Sequence, residues 1–193
     1  MDELSQRLID VTIAIGGSNE ANRDFSTKDI ATQTGVSEPT LFSRFPSKDS
    51  LVDAASEECT IRFAAYAKKL IDDGLTGKKW VCKMIDHQLE KKEESIFLLN
   101  YAHAIDHGPN PQEAEINYYK LILNIGSQIM CNYRFKCEED LFICSSSIIR
   151  TILYAVAYIL NGVWPNNDDV RENICHIIRG GINSFLKDQR SPL

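Results

Sequence analysis

The sequence has no uninterrupted apolar run longer than nine residues, Ile152 to Leu160. A helix needs about 20 such residues to cross a bilayer, so no membrane partner is expected. Its first residues, Met1-Asp2-Glu3, lack the charged-then-apolar order of a secretory leader. None of the six cysteines (Cys59, Cys82, Cys131, Cys137, Cys144, Cys175) forms a close CxxC pair. With no export signal, they are expected as reduced thiols in a cytoplasm. Alternating strand-like segments, internal repeats and Gly/Ser- or Pro-rich linkers are missing too. So are a glycine-rich phosphate loop and an HExxH zinc motif, and the scattered Ser, His and Asp residues assemble into no triad. The chain is therefore expected to be no enzyme and to need no cofactor.

What is present is an ordinary globular balance. Of 193 residues, 44% are apolar and 25% charged, which excludes a disordered chain. A chain of this length can bury roughly 70% of its unfolded surface. Its 21 Lys and Arg stand against 27 Asp and Glu, a net charge of −6. That excludes a generally basic nucleic-acid coat but leaves room for a local binding face.

Helical spacing dominates. Val52, Ala55, Cys59, Phe63, Tyr66 and Leu70 step along one face of a long helix, expected over Lys48 to Asp72. Leu141, Cys144, Ile148, Ile152, Ala155 and Ile159 do so along another. The opposite side of that helix is apolar as well (Phe142, Ile149, Leu153, Val156, Leu160). A helix apolar nearly all round is a central core helix, a subunit interface, or both. A last helix, capped by Asn167, carries Val170, Ile174, Ile177, Ile178, Gly181 and Phe185. The first 50 residues differ, with short helices and tight turns.

The informative segment runs from Phe25 to Lys48. Ser26 followed by Asp29 fits a capping box that starts a helix near Thr27. Gly35 sits where that helix must end, since glycine tolerates the left-handed conformation. Ser37 caps a second helix, with Pro39 in its first turn, where a missing N–H costs little. Leu41 and Phe45 face inward, and Pro46 ends the helix. Two short helices joined by a glycine turn form a helix-turn-helix, whose second helix fits a major groove about 12 Å wide. Its outward residues are Ser37, Glu38, Pro39, Thr40, Phe42, Ser43 and Arg44. Lys48, beside Ser47 at the start of the next helix, is placed to hold a phosphate.

These residues resemble the DNA-binding segment of TetR-family transcriptional regulators. The resemblance rests on Thr27, Ile30-Ala31, Gly35-Val36-Ser37, Thr40-Leu41-Phe42, Phe45, Ser47-Lys48 and Leu51. It implies an all-α fold, with a three-helix DNA-binding domain over 1–47 and a helical ligand-binding and dimerisation domain over 48–193. It further implies a homodimer paired through helices at about 138–164 and 167–187, a double-stranded DNA operator and a small-molecule effector. In this reading Thr27, Ser37 and Lys48 position phosphates, and Thr40, Phe42 and Arg44 reach bases or sugars. Glu38 accepts from a cytosine amino group or completes the helix start. The function implied is a ligand-responsive regulator, most simply a repressor released from a palindromic operator. The alternatives are a helical ligand- or partner-sensing protein that does not bind DNA, and a thiol-based redox sensor.

Two departures from the family stand out. In residues 1–50, five cations against eight carboxylates leave −3, and an acidic Met-Asp-Glu replaces the basic arm of many relatives. Modest non-specific affinity and a shallow salt dependence are expected. Gly16-Gly17-Ser18-Asn19 also replaces an aromatic end of the first helix, which points to a longer, looser loop.

Aromatic and polar residues in the middle helices are candidates for an effector pocket: Met84, His87, Tyr101, His103, Tyr118, Ile122, Tyr154 and Tyr158. The hydroxyls of Tyr154 and Tyr158 need partners if buried, and a ligand can supply one. His103 and His107 share one helix face at i, i+4 but lack a further ligand at fixed offset, so no metal is assigned.

Overall fold

A computed structural model describes residues 2–18, 25–101, 111–130 and 133–186, the side chains of 111–118 and 121 excepted. Among them are nine helices. These are α1 (Glu3–Gly16), α2 (Thr27–Thr34), α3 (Glu38–Phe42), α4 (Lys48–Asp72), α5 (Gly77–Glu90), α6 (Lys92–Tyr101), α7 (Pro111–Ile129), α8 (Glu138–Leu160) and α9 (Asp168–Phe185). The β structure among the described residues is one isolated bridge, Phe135 to Leu186. The all-α expectation holds.

The chain packs as two compact units, residues 1–63 with 91–115, and 64–90 with 116–193. In the first, α1 packs against α2 and α6, and α2 against α3. Leu8, Ile9, Ile30, Leu41, Leu51 and Phe97 are fully buried. Arg62 on α4 binds Asp10 of α1, Glu58 one turn back at 2.8 Å and Glu94 of α6 at 3.1 Å. One half-buried guanidinium thereby ties three helices together.

Gly16 and Gly17 pack closely against α6. A Cβ on Gly16 would stand 2.7 Å from the Phe97 ring, and one on Gly17 1.9 Å from the Glu93 carbonyl oxygen. The Phe25 ring also lies against Gly16, 3.1 Å from where its Cβ would stand. Asn19 lies outside the described residues.

In the second unit, α5, α8 and α9 pack pairwise. Lys78 of α5 pairs with Glu172 of α9 at 3.0 Å, and Asp86 with Arg171 at 2.7 Å. The Trp80 indole N–H donates to the Ala67 carbonyl at 3.1 Å, tying α5 to the end of α4. Helix α8 is long and apolar enough to cross a membrane by length and composition alone. Its residues Cys144, Ser145, Ile148, Ile152, Leu153, Ala155 and Val156 are nevertheless buried in this unit, as in a core helix. Burial is one-sided, however. Ile143, Tyr154 and Tyr158 stand exposed on α8, as does Ile177 on α9.

Candidate nucleic-acid interface

The segment 25–51 is built from its caps outward. The Asp29 backbone N–H donates to Ser26 Oγ at 3.2 Å, and the Ser26 N–H returns a bond to Asp29 Oδ2 at 2.9 Å. The Ser26 hydroxyl, which also donates to Asp29 Oδ2 at 2.7 Å, and then the Ser26 N–H hold the Asp29 carboxyl below its usual range. Gly35 ends α2 in the left-handed region, at φ 76°, where a Cβ would be strained. Val36 N–H then donates back to Ala31 O at 2.9 Å, which reverses the chain.

Ser37 caps α3: its Oγ accepts from the Thr40 N–H at 3.3 Å and lies 2.8 Å from Thr40 Oγ1. Leu41 is fully buried and seats the short helix against its own unit. Pro39, Phe42, Ser43 and Arg44 are left exposed, with Ser37 at the entry. Phe42, a large apolar side chain, is 42% accessible. The helix closes at Phe42 with Ser43 as cap, earlier than the Pro46 stop expected from sequence. Ser47 and Ser50 exchange backbone-to-hydroxyl bonds of 3.0 and 3.1 Å, which starts α4 at Lys48.

Several of the expected contact residues already have intramolecular partners. The Thr27 hydroxyl donates to Glu38 Oε1 at 2.6 Å, so these two side chains face each other across α2 and α3. Arg44 Nη1 lies 2.8 Å from Asp2 Oδ2, while Asp2 Oδ1 accepts the Ser5 N–H at 2.8 Å as the cap of α1. The Ser5 backbone bond first, and then Arg44, keep the Asp2 carboxyl below its usual range. The Lys48 ammonium rests 4.5 Å from the centre of the Phe25 ring. Arg7, the cation nearest the acidic N-terminus in sequence, donates to Thr34 O at 2.7 Å. Asp2 and Phe25 are missing from the sequence-based set because their partners lie far along the chain, at no characteristic spacing.

The described effector candidates fall in both units. Tyr101 belongs to the first unit, where its ring packs 4.8 Å from Phe97 and edge-on to Phe25 at 5.6 Å. In the second unit Met84 and Ile122 are buried, and His87 stacks on Tyr66 at 3.6 Å. Tyr154 and Tyr158 are not buried. They are 50% and 43% exposed, with Tyr158 packed on Trp164 at 4.8 Å. Their positions on α8 point them away from the core stripe, so solvent or a second molecule meets their hydroxyls. His103 and His107 lie outside the described residues, as does the side chain of Tyr118.

Four of the described cysteines give thiol chemistry little support. Burial raises the pKa of Cys59 and lifts that of Cys144 to about 11. Cys175 is also pushed up by burial. At Cys137 the Asp140 backbone N–H pulls down, but the Glu139 carboxylate and desolvation outweigh it and the thiol is raised. A raised thiol is mostly protonated and a poor nucleophile near neutrality.

Residues 23–55 match the family model described as bacterial regulatory proteins, tetR family. No curated protein matches the sequence. Among solved structures, a TetR family transcription regulator from Marinobacter aquaeolei VT8 is similar at TM-score 0.63 and 18% identity. The match covers 93% of this chain and 95% of that one. A TetR transcriptional regulator from Legionella pneumophila is similar at TM-score 0.61 and 20% identity, over 94% and 98%. The multidrug binding protein EbrR, complexed with imidazole, is similar at TM-score 0.60 and 16% identity, over 94% and 96%. At such identities these structures establish the shared fold.

Proposed function

From a chain that carries the tetR-family helix-turn-helix within the fold of that family's transcription regulators, we propose a ligand-responsive, sequence-specific DNA-binding repressor. One observation carries the reading. Helix α3 is capped, seated by Leu41 and presents Pro39, Phe42, Ser43 and Arg44 outward. A helix so presented fits the major groove with its small N-terminal side chains near base edges. Ser37 caps it, Thr40 lies within it and Lys48 opens α4, while Thr27 at the start of α2 bonds Glu38 at the start of α3. The proposed division of labour is a reading head over 1–47 and a sensing and pairing body over 48–193. Acting on DNA places the protein in the cytoplasm.

Two copies supply two reading heads. The proposed pairing uses α8 and α9, whose exposed Ile143, Tyr154, Tyr158 and Ile177 leave apolar surface uncovered in a single chain. Two-fold symmetry then sets the heads about 34 Å apart on a palindromic site. EbrR was solved with imidazole. By analogy a small molecule is proposed to enter the body here and favour a spacing that no longer fits. Such coupling is typically about 1–3 kcal/mol. Helix α4 is continuous from Lys48 to Asp72, from the reading segment into the body, and is the proposed carrier of the shift.

An electrophoretic shift with duplexes enriched from a random pool tests the reading. The wild type enriches a palindromic sequence, and the combined variant Lys48→Ala, Thr40→Ala weakens binding to it at least tenfold, since one good base contact is worth about 1–3 kcal/mol. If no sequence is enriched, the DNA-binding reading falls in favour of a sensing protein that does not touch DNA.

A further inference from the structure

The acidic N-terminus is out of place beside a helix that is to meet phosphates, yet it is not idle. Asp2 uses both carboxylate oxygens: one caps α1 through the Ser5 N–H, and the other holds Arg44 at 2.8 Å. Both partners of this ion pair are about half exposed, so the bond is reachable and breakable. A second carboxylate repeats the arrangement nearby, where Glu38 accepts the Thr27 hydroxyl at 2.6 Å. Two groups facing the proposed DNA surface are thus already held by carboxylate oxygens, and a phosphate offers the same acceptor chemistry and the same sign of charge.

We propose that Asp2 is a built-in competitor for DNA phosphate: in the free chain it occupies the Arg44 guanidinium, and DNA binds by exchanging that carboxylate for a backbone phosphate. The inference rests on the DNA-binding reading above and deepens it, because it names a residue outside the helix-turn-helix that sets affinity and salt dependence. Counterion release on binding scales with the number of cations delivered to phosphates. An Arg44 held by Asp2 delivers less than a full charge. Glu38 plays the same part toward Thr27, with a weaker effect because the held group is neutral.

The test uses the full chain and a mixed-sequence DNA duplex of about 24 base pairs, with binding followed by fluorescence anisotropy between 50 and 200 mM salt. Asp2→Asn is the chosen variant, since asparagine caps a helix as well as aspartate does, so α1 is kept while the charge is lost. Glu3→Gln, which removes a neighbouring charge that has no part in the Arg44 pair, controls for overall electrostatics. The expected result is a several-fold tighter complex at low salt for Asp2→Asn than for Glu3→Gln. The slope of log affinity against log salt should steepen by about 0.9, one phosphate more. In an Arg44→Gln background the gain should vanish. An affinity no tighter than that of Glu3→Gln, a weaker complex, or a gain that survives in Arg44→Gln would each overturn the proposal while the DNA-binding reading stands. If neither the wild type nor any variant binds at 50 mM salt, the proposal falls, and the DNA-binding reading is decided by the enriched-pool experiment.

Discussion

Asp53 is a residue whose chemistry is poorly matched to its surroundings. Its Oδ1 is buried without a hydrogen-bond partner. Burial first, and repulsion from Asp49 second, push its carboxyl above the usual range. The sign of the consequence follows. A carboxyl whose folded pKa is raised holds its proton more tightly folded than unfolded, so ionisation opposes folding. Above the folded value the penalty is fully present; as pH falls through that value toward the unfolded one, it fades. Asp53→Asn is therefore expected to raise the thermal midpoint at pH 7, with the advantage shrinking toward pH 4. Differential scanning calorimetry at the two values checks this, and an equal gain at both would contradict it. Gly35 makes the opposite point. Its positive φ is a local requirement, and local requirements are what a sequence displays most openly.

That contrast explains how much was legible at the level of elements. Helices α2, α3 and α4 were readable because their ends are written in adjacent residues: Ser26 with Asp29, Gly35, Ser37 with Pro39, Ser47 before Lys48. Helix α4 runs over the residues its apolar stripe marks. The seat of α6 was not readable. Gly16-Gly17 looks like a break, and only the distant Phe97 and Glu93 turn it into a contact surface. The exposure of Tyr154 and Tyr158 was not readable for a related reason, because an all-round apolar helix does not declare which side its own chain covers. Arg44 was identified, but its partner Asp2 lies 42 positions away with no periodicity to link them. The α1–α6 contact carries its own expectation. In Gly17→Ala the new methyl meets a backbone carbonyl that cannot rotate aside, so the helices must separate. Overpacking of this kind costs about 1–3 kcal/mol. Urea unfolding should show that loss, and a variant as stable as the wild type would contradict it.

At the scale of the molecule, the uncovered apolar side chains of α8 and α9 set the expectation. Ile177 is 61% exposed in the single chain, next to Gly180 and Gly181, where a second backbone can come close. Ile177→Glu is expected to leave the fold and its circular dichroism intact. It should shift the sedimentation of the protein from dimer to monomer at micromolar concentration, and a variant that sediments like the wild type would remove α9 from the interface. The division into packing units has a further consequence for anyone recombining such proteins. The stretch proposed to read DNA is not self-sufficient at residue 47, because its first helix closes against Phe97 and Glu93. A hybrid made by grafting the first 47 residues onto a foreign body would inherit an open hollow beside Gly16 and Gly17. Specificity can be transplanted from this chain only if the donor graft carries the 91–101 segment with it, as a two-piece exchange.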